Sequence, residues 1–391
     1  MHRSFLIRYI LLLTFFFAML AEISCQKTVV NPNSNNTNNN NILPLPGTFE
    51  IADTLNIMAY NILYYGNGCQ GASSFLDSNF RIIIQYTQPD ILSCEKMQAF
   101  DPTPGVTGNL AEGLVKNVLN ASFPNRYAYA VPTNESNGKG MSVLFYNQQK
   151  LGYLKTVLLV KNITDFDMYK LYYKDINLSV TRDTSFLYVI VNHTQSGSSS
   201  SNRDLQLMQE MNALRSKFTW FPNLINMGDF NTANSYESGY QQMVSSTDST
   251  TLLSDPPYYP DNILTYPGNW DIAPFTVASF LTTSTRMYAD APNSCGTSGG
   301  AKGWFDHIFI SPWIIKGSNY IKYIPLSYHT VGNDGNRLGV SINSPAPVVN
   351  SAVSTSVADA LYQFSNKYPV MLKLAVTGNR SGNSQIDPVE K

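Results

Sequence analysis

Polar residues close several apolar runs in this chain. Asn61 ends "IMAYN", Glu95 ends "DILSCE", His193 follows "VIVN", and Asp229 with Asn231 ends "INMGDFN". Strand ends in an α/β protein can converge on one edge of a sheet, which would gather these oxygen and imidazole groups at a single place. Asp229 and Asn231 are two residues apart, so on an extended segment they can point the same way. Carboxylate and amide oxygens suit a hard cation such as Mg2+, which keeps several waters and takes one or two protein carboxylates together with a substrate phosphate. The chemistry implied is metal-assisted phosphoryl transfer.

The elements that would position these residues alternate along the chain. "LNIMAYNIL", "QPDILSCE", "MSVLFYN", "SFLYVIVNH" and "NLINMGDFN" read as short strands, and "NFRIIIQYT", "LAEGLVKNVLNA" and "RDLQLMQEMNALRSKF" read as helices between some of them. Further strands follow in "GWFDHIFIS", "IKYIPLS" and "PVMLKLAV". Without a long linker among them, one domain over 53–376 is expected, with 377–391 a polar tail. In "ALYQFSNKYPVMLKL", a short helix runs into an apolar strand with Ser365, Asn366 and Lys367 at the corner.

The chain has 391 residues, 43% apolar and 14% charged, enough to bury a large core. Its formal net charge of −1 gives no general pull toward nucleic acid or an acidic membrane, so any phosphate binding has to be local. Residues 1–25 have the layout of a secretory signal: Arg3 and Arg8, an apolar run from Tyr9 to Ala21, then small residues to Cys25. Ser24-Cys25 resembles a bacterial lipobox with Glu22 where a Leu is usual, which leaves two readings, a lipid on Cys25 that tethers the protein to a membrane, or plain cleavage. Residues 26–52, with "NPNSNNTNNNN", read as a solvated tether. The expected location is therefore the cell envelope or the exterior, where disulfides are permitted. Cys69 and Cys295 can pair there, Cys94 reads as core, and no Cys/His spacing suggests zinc.

"MAYNIL", "QPDILSCEKM", "NMGDFNT" and "WFDHIFIS", in that order, resemble the signature blocks of the endonuclease/exonuclease/phosphatase superfamily, which includes pancreatic deoxyribonuclease and bacterial sphingomyelinase. The resemblance implies a DNase I-like four-layer α/β sandwich, two packed sheets flanked by helices. It implies that Glu95 is the principal metal carboxylate with Asn61 beside it, and that Asp229 and Asn231 orient the attacking water and hold phosphate or metal. It makes His193 a hydrogen-bond donor to the scissile phosphate and Asp306 the carboxylate that orients a catalytic histidine. His307 alternates with Asp306 and is expected to face away, and His329 matches no block.

The family's last block reads Ser-Asp-His, one variable residue, then Pro; "SNKYPVMLKL" keeps Ser365 and Pro369 but has Asn366 and Lys367 in place of the pair. Asn366 keeps an oxygen for a metal and loses the charge, so Mg2+ or Mn2+ is expected to bind weakly. Lysine starts near pKa 10.4 and imidazole near 6.5, so Lys367 would need a fall of about 3 units to serve as a base. As a permanent cation it can still bind phosphate and stabilise developing charge. Two functions follow: a Mg-dependent phosphodiester hydrolase, slow or altered, and a binding module on the same fold that no longer hydrolyses. The protein is expected to be a monomer. Substrate class among nucleic acid, phospholipid headgroup and sugar phosphate is left open, since the segment from about 233 to 303 reads as a substrate-setting rim. Within it, "PPYYP" at 256–260 suits either stacking on a base or sugar or simply stiffening a loop.

Overall fold

The computed structural model describes residues 51–181, 184–289 and 295–378. The segment expected to be a secretory signal, nearly all of the Asn-rich segment and nearly all of the polar tail lie outside the described residues.

The first strand, β1 (Ile51–Tyr65), is buried without interruption from Ile57 to Leu63. Such a run belongs to a strand covered on both faces. Helix α1 (Ser73–Thr87) follows, burying Leu76, Phe80, Ile83, Ile84 and Thr87 along one stripe. It ends where Gln88 turns left-handed and donates its N–H to the Ile84 carbonyl, ahead of Pro89. Strand β2 (Ile91–Gln98) lies parallel to β1. Next come helix α2 (Leu110–Leu114), which runs on into a π turn, then β3 (Tyr127–Ala130) and β4 (Gly140–Asn147).

A second sheet starts with β5 (Leu151–Val160), β6 (Phe166–Tyr173) and β7 (Phe186–His193), antiparallel in turn. Helix α3 (Ser201–Lys217) then crosses over to β8 (Leu224–Asp229), parallel to β7, and α4 (Ser238–Val244) packs beside α3. Strand β9 (Asp306–Ile310) closes the sheet antiparallel to β8, and α5 (Pro312–Lys316) follows. The chain returns through β10 (Ile321–Tyr323), β11 (His329–Thr330), α6 (Thr355–Phe364) and β12 (Val370–Thr377).

The seven-stranded sheet has the order β10-β12-β1-β2-β4-β3 with β11 also on β12, and the five-stranded sheet runs β5 to β9 in sequence. They pack face to face through β1, β2, β4 and β12 against β7, β8 and β9. Helices α1 and α6 pack together, with Phe80 stacked on Phe364 at 4.3 Å between ring centroids. This is the four-layer sandwich expected from the sequence. Strands β3, β5 and β6 were not anticipated: β3 is only four residues, and β5 and β6 mix Lys155, Asp167 and Lys170 into their apolar residues.

The registers place the candidate residues. Asn61 pairs with Glu95 across β1 and β2, His193 with Asp229 across β7 and β8, and Asp229 with Asp306 across β8 and β9. Gly228 is required here: its φ is +139°, and a Cβ would lie 2.0 Å from the Asn192 carbonyl oxygen.

Beneath β7 and β8, α3 presents Glu210 to two strand asparagines. Asn192 Nδ2 donates to Oε2 at 2.6 Å and Asn226 Nδ2 to Oε1 at 2.7 Å. Burial raises the Glu210 pKa from 4.5 to about 7, the two amide donors opposing it. A carboxyl with a raised folded pKa contributes stability that is fully present below the unfolded value and lost as pH rises through the folded one. Replacing Glu210→Gln should therefore remove one source of that loss. Between pH 5 and pH 8 the difference in thermal midpoint should shift in favour of the variant, as calorimetry can check, and an unchanged difference would show that the two donors hold Glu210 ionised throughout.

Candidate functional site

Lys367 lies at the centre of the converging strand ends. Its Nζ is 2.8 Å from Asp229 Oδ2 and 3.4 Å from Asp306 Oδ2, with both carboxylates almost fully buried. Asn61 Nδ2 donates to the same Asp229 Oδ2 at 2.8 Å, while Asp229 Oδ1 accepts the Asn231 backbone N–H at 3.1 Å. The Lys367 ammonium also stands 4.9 Å over the Phe305 ring. Burial alone would lower the Lys367 pKa, but Asp229 and Asp306 together hold it above the ordinary lysine value. Burial likewise works to raise Asp229, and Lys367 and His193 overcome it, so Asp229 stays ionised. For Asp306, burial and the charge of Asp229 win, and its pKa is raised.

The corner that carries Lys367 is pinned by its backbone. Ser365 Oγ donates to the Asn61 carbonyl at 2.8 Å and accepts the Lys367 N–H at 3.2 Å. Thr285 donates its hydroxyl to the Ser365 carbonyl at 2.6 Å and its N–H to the Asn366 carbonyl at 3.1 Å. Thr282 takes the Tyr368 N–H on its carbonyl and the Asp306 N–H on its hydroxyl. Asn366 turns the other way: Nδ2 donates to Thr297 Oγ1 at 2.7 Å, and Oδ1 is buried without a partner. The Thr297 loop is held by a Cys69–Cys295 disulfide with a Cα–Cα distance of 5.8 Å. Gly296 allows its close approach, since a Cβ there would lie 2.9 Å from Asn366 Cγ.

Above this floor opens a cleft of about 480 Å³ lined by Lys96, His193, Asp229, Asn231, Thr297 and Lys367 among others. Asn231 Nδ2 donates to the Thr194 carbonyl at 2.9 Å, leaving its Oδ1 toward other partners. His193 Nδ1 is buried with no partner. Burial lowers the His193 pKa to about 4, Lys96 and Lys367 add to that, and Asp229 opposes it, so the imidazole is neutral at neutral pH.

Lys96 is a cleft residue that sequence reasoning missed. Strict alternation along β2 would send it to the opposite face from Glu95. Instead Lys96 has φ +61°, opposite Leu63 and Tyr64 at φ +46° and +57°, and the β1–β2 register shifts there. The irregularity places its Nζ 4.7 Å over the Tyr64 ring and in the cleft wall. Only the Glu-Lys adjacency hinted at it. His307, as expected, faces away, and His329 bonds the Ser327 carbonyl at the surface.

Glu95 is fully buried beside Asn61 and accepts a hydrogen bond from the Ser93 hydroxyl on Oε1, while Oε2 has no partner. Burial raises its pKa to about 8; the Ser93 hydroxyl opposes this, and the charges of Asp306 and Asp229 add to it. Among the described residues no three His, Cys, Asp or Glu side chains are grouped as a metal ion would require. The oxygens left free are Glu95 Oε2 and Asn366 Oδ1, a sparse set of hard donors of the kind Mg2+ accepts when water and a phosphate complete its shell. Asn61, expected as a further ligand, donates its amide to Asp229 and accepts the Leu63 N–H on Oδ1 at 3.0 Å, which leaves that oxygen one lone pair.

No protein-family model matches the chain, and no curated protein sequence matches it. Among solved structures it is similar to D. rerio TDP2 complexed with single strand DNA product, at 11% identity over 83% of this chain and 99% of that one, TM-score 0.50. The chain has the DNase I-like fold. It is also similar to the human Nocturnin catalytic domain with bound sulfate anion (15% identity, 83% of this chain and 94% of that one, TM-score 0.46). An endonuclease/exonuclease/phosphatase family protein from Bacteroides thetaiotaomicron matches at 14% identity over 84% of this chain and 97% of that one, TM-score 0.45.

Within this DNase I-like sandwich, Asn61, Asp229, Asp306 and Lys367 are joined by direct hydrogen bonds, and Glu95, His193 and Asn231 adjoin them through register and charge. Asn366 lines the same cleft and is bonded to the disulfide loop. Removing the Lys367 ammonium would leave Asp229 and Asp306 facing each other in a dry interior. Lys367→Met should therefore cost about 3–5 kcal/mol of stability, the usual penalty for breaking a buried pair from one side. Urea unfolding measures it, and a loss below about 1 kcal/mol would mean that water reaches the carboxylates.

Proposed function

We propose that the protein hydrolyses a phosphate ester, slowly, with Lys367 as a fixed cation where an imidazole base would otherwise stand. The observation that carries this reading is the Lys367 ammonium held between Asp229 and Asp306 at the floor of the cleft. There it would face a phosphoryl group together with Lys96 and the Asn231 amide, both on the cleft wall. A lysine so paired cannot accept a proton near neutral pH, yet it stabilises charge that develops on phosphate oxygens. Asp229, with Lys367, Asn61 and Asn231 donating to it, is a weak base and an effective anchor. Mg2+ or Mn2+ on Glu95 and Asn366 would polarise a phosphoryl oxygen.

A second reading, a phosphate-binding module without turnover, is favoured by His193. Its pKa of about 4 and the raised Lys367 leave neither the imidazole nor the amine at the floor of the cleft as a base matched to neutral pH. For location, the N-terminal secretory pattern supports export, and the Cys69–Cys295 disulfide suits an oxidising compartment. A lipid on Cys25 would add a membrane tether, and the rest of the chain is taken as a monomer.

Turnover of bis-p-nitrophenyl phosphate with Mg2+ or Mn2+ tests the reading. The position of Lys367 beside Asp306 is where an imidazole would be oriented, so Asn366→Asp with Lys367→His should raise the rate at least about 100-fold, the low end of general-base catalysis. Each change alone should do much less. A fast wild type slowed by the double change would instead make Lys367 a working catalytic cation, and no turnover by either protein would leave the binding module. Glu95→Gln should abolish Mg2+ binding in calorimetry, and binding that survives would reassign the carboxylate.

A further inference from the structure

Lys96 is brought into the cleft wall by unusual backbone and left there without a counter-charge. Three residues other than glycine are left-handed at this point, Leu63 at φ +46°, Tyr64 at φ +57° and Lys96 itself at φ +61°. Such backbone is unfavourable for any residue with a Cβ and persists where the surroundings hold it, most often beside functional sites. Here it turns one ammonium out of the β2 alternation and into the cleft, over the Tyr64 ring.

Negative groups stand close by, and Lys96 pairs with none of them. Apart from the Tyr64 ring, it has no hydrogen bond or ion pair among the described residues. Glu95, its neighbour in sequence, keeps Oε2 without a partner. Asp229 and Asp306 are within electrostatic reach but are already joined to Lys367. Asp271, also on the cleft wall, is exposed and makes no ion pair with Lys96. Burial lowers the Lys96 pKa and Lys367 adds to this, while Asp229 and Asp306 oppose it, so the ammonium stands where negative charge is short. Both lysines line the cleft and each disfavours the charged form of His193, so two ammoniums flank the space beside its ring. The single charge of a phosphodiester matches one of them. A phosphomonoester loses its second proton at about pH 6 and is a dianion above that, so it brings a charge for each lysine.

We propose that Lys96 makes the cleft selective for a terminal, dianionic phosphate group, the phosphomonoester class, over a phosphodiester. This rests on the reading of the cleft as a phosphate site, and not on turnover there.

Calorimetry on the full chain at pH 8, with Mg2+ present throughout, tests it with methyl phosphate, a dianion, and dimethyl phosphate, a monoanion of similar size. Methyl phosphate should bind the wild type at least about 10-fold tighter, the low end of what a hydrogen bond to a charged group supplies. Lys96→Met keeps an unbranched stem against Tyr64 and removes the charge. It should weaken methyl phosphate at least about 10-fold and dimethyl phosphate less than about 3-fold. Lys96→Arg, which restores the charge, should keep the wild-type preference, as a merely structural role for the stem would not require. A protein that prefers methyl phosphate in this way and hydrolyses neither p-nitrophenyl phosphate nor bis-p-nitrophenyl phosphate would sink the hydrolysis reading and keep this one. Equal affinity for the two ligands in the wild type, binding of neither, or a loss of the same size for both in Lys96→Met would overturn the proposal.

Discussion

Two buried carboxylates opposite each other on adjacent strands need a positive charge between them. Asp229 and Asp306 are such a pair, in direct register across β8 and β9, and Lys367 supplies the charge. The lysine arrives from the other sheet, at the corner where α6 enters β12, so the contact that neutralises the site also joins the two sheets at their functional edge. The surrounding geometry serves this contact: Ser365 fixes the corner to the end of β1, and Thr282 and Thr285 fix it to the loop leading into β9. A side chain with no alternative partner in so dry a place is stiff, and stiffness is what positioned charges require if they are to act on a phosphate.

That arrangement gives the cleft a local charge unlike the net charge of −1 of the whole chain. Lys96 and Lys367 line the cleft, while the negative charges beneath are consumed by Lys367 and the Asn61 amide. A site that depended on imidazole would lose its positive charge near neutral pH; Lys367, held above the ordinary lysine value by Asp229 and Asp306, keeps its own. His193 is neutral there, because burial and the two neighbouring lysines disfavour its charged form.

The layers and the strand ends were legible in the sequence because apolar runs closed by a polar residue leave a clear pattern, and the parallel pairs β1–β2 and β7–β8 then bring equivalent ends together. Asn366 was expected to offer an oxygen to a metal, and its Oδ1 has no partner; what was not expected is that its Nδ2 bonds the Thr297 loop, which comes close because the Cys69–Cys295 bridge and Gly296 permit it. A contact across 69 residues leaves no local trace. Lys96 escaped for a different reason, since the left-handed residue that turns it into the cleft breaks the very alternation from which facing is read. Strands β5 and β6 were hidden by the charged residues they carry.

Strand β9 shows why the site can tolerate its charges. Asp306 points to the cleft and His307, one residue on, to the opposite layer, where Trp304 lies 4.4 Å, Phe309 5.3 Å and Trp270 5.8 Å from its ring centroid. Bonded at both nitrogens to Asp255 and the Trp304 carbonyl, His307 has no freedom to turn. Packing this tight holds the strand from behind, so the position of Asp306 does not depend on the ion pair in front of it. The carboxylate therefore stays where Lys367, or an imidazole in its place, can meet it, and the chemistry of the corner can change while the scaffold that serves it remains the same.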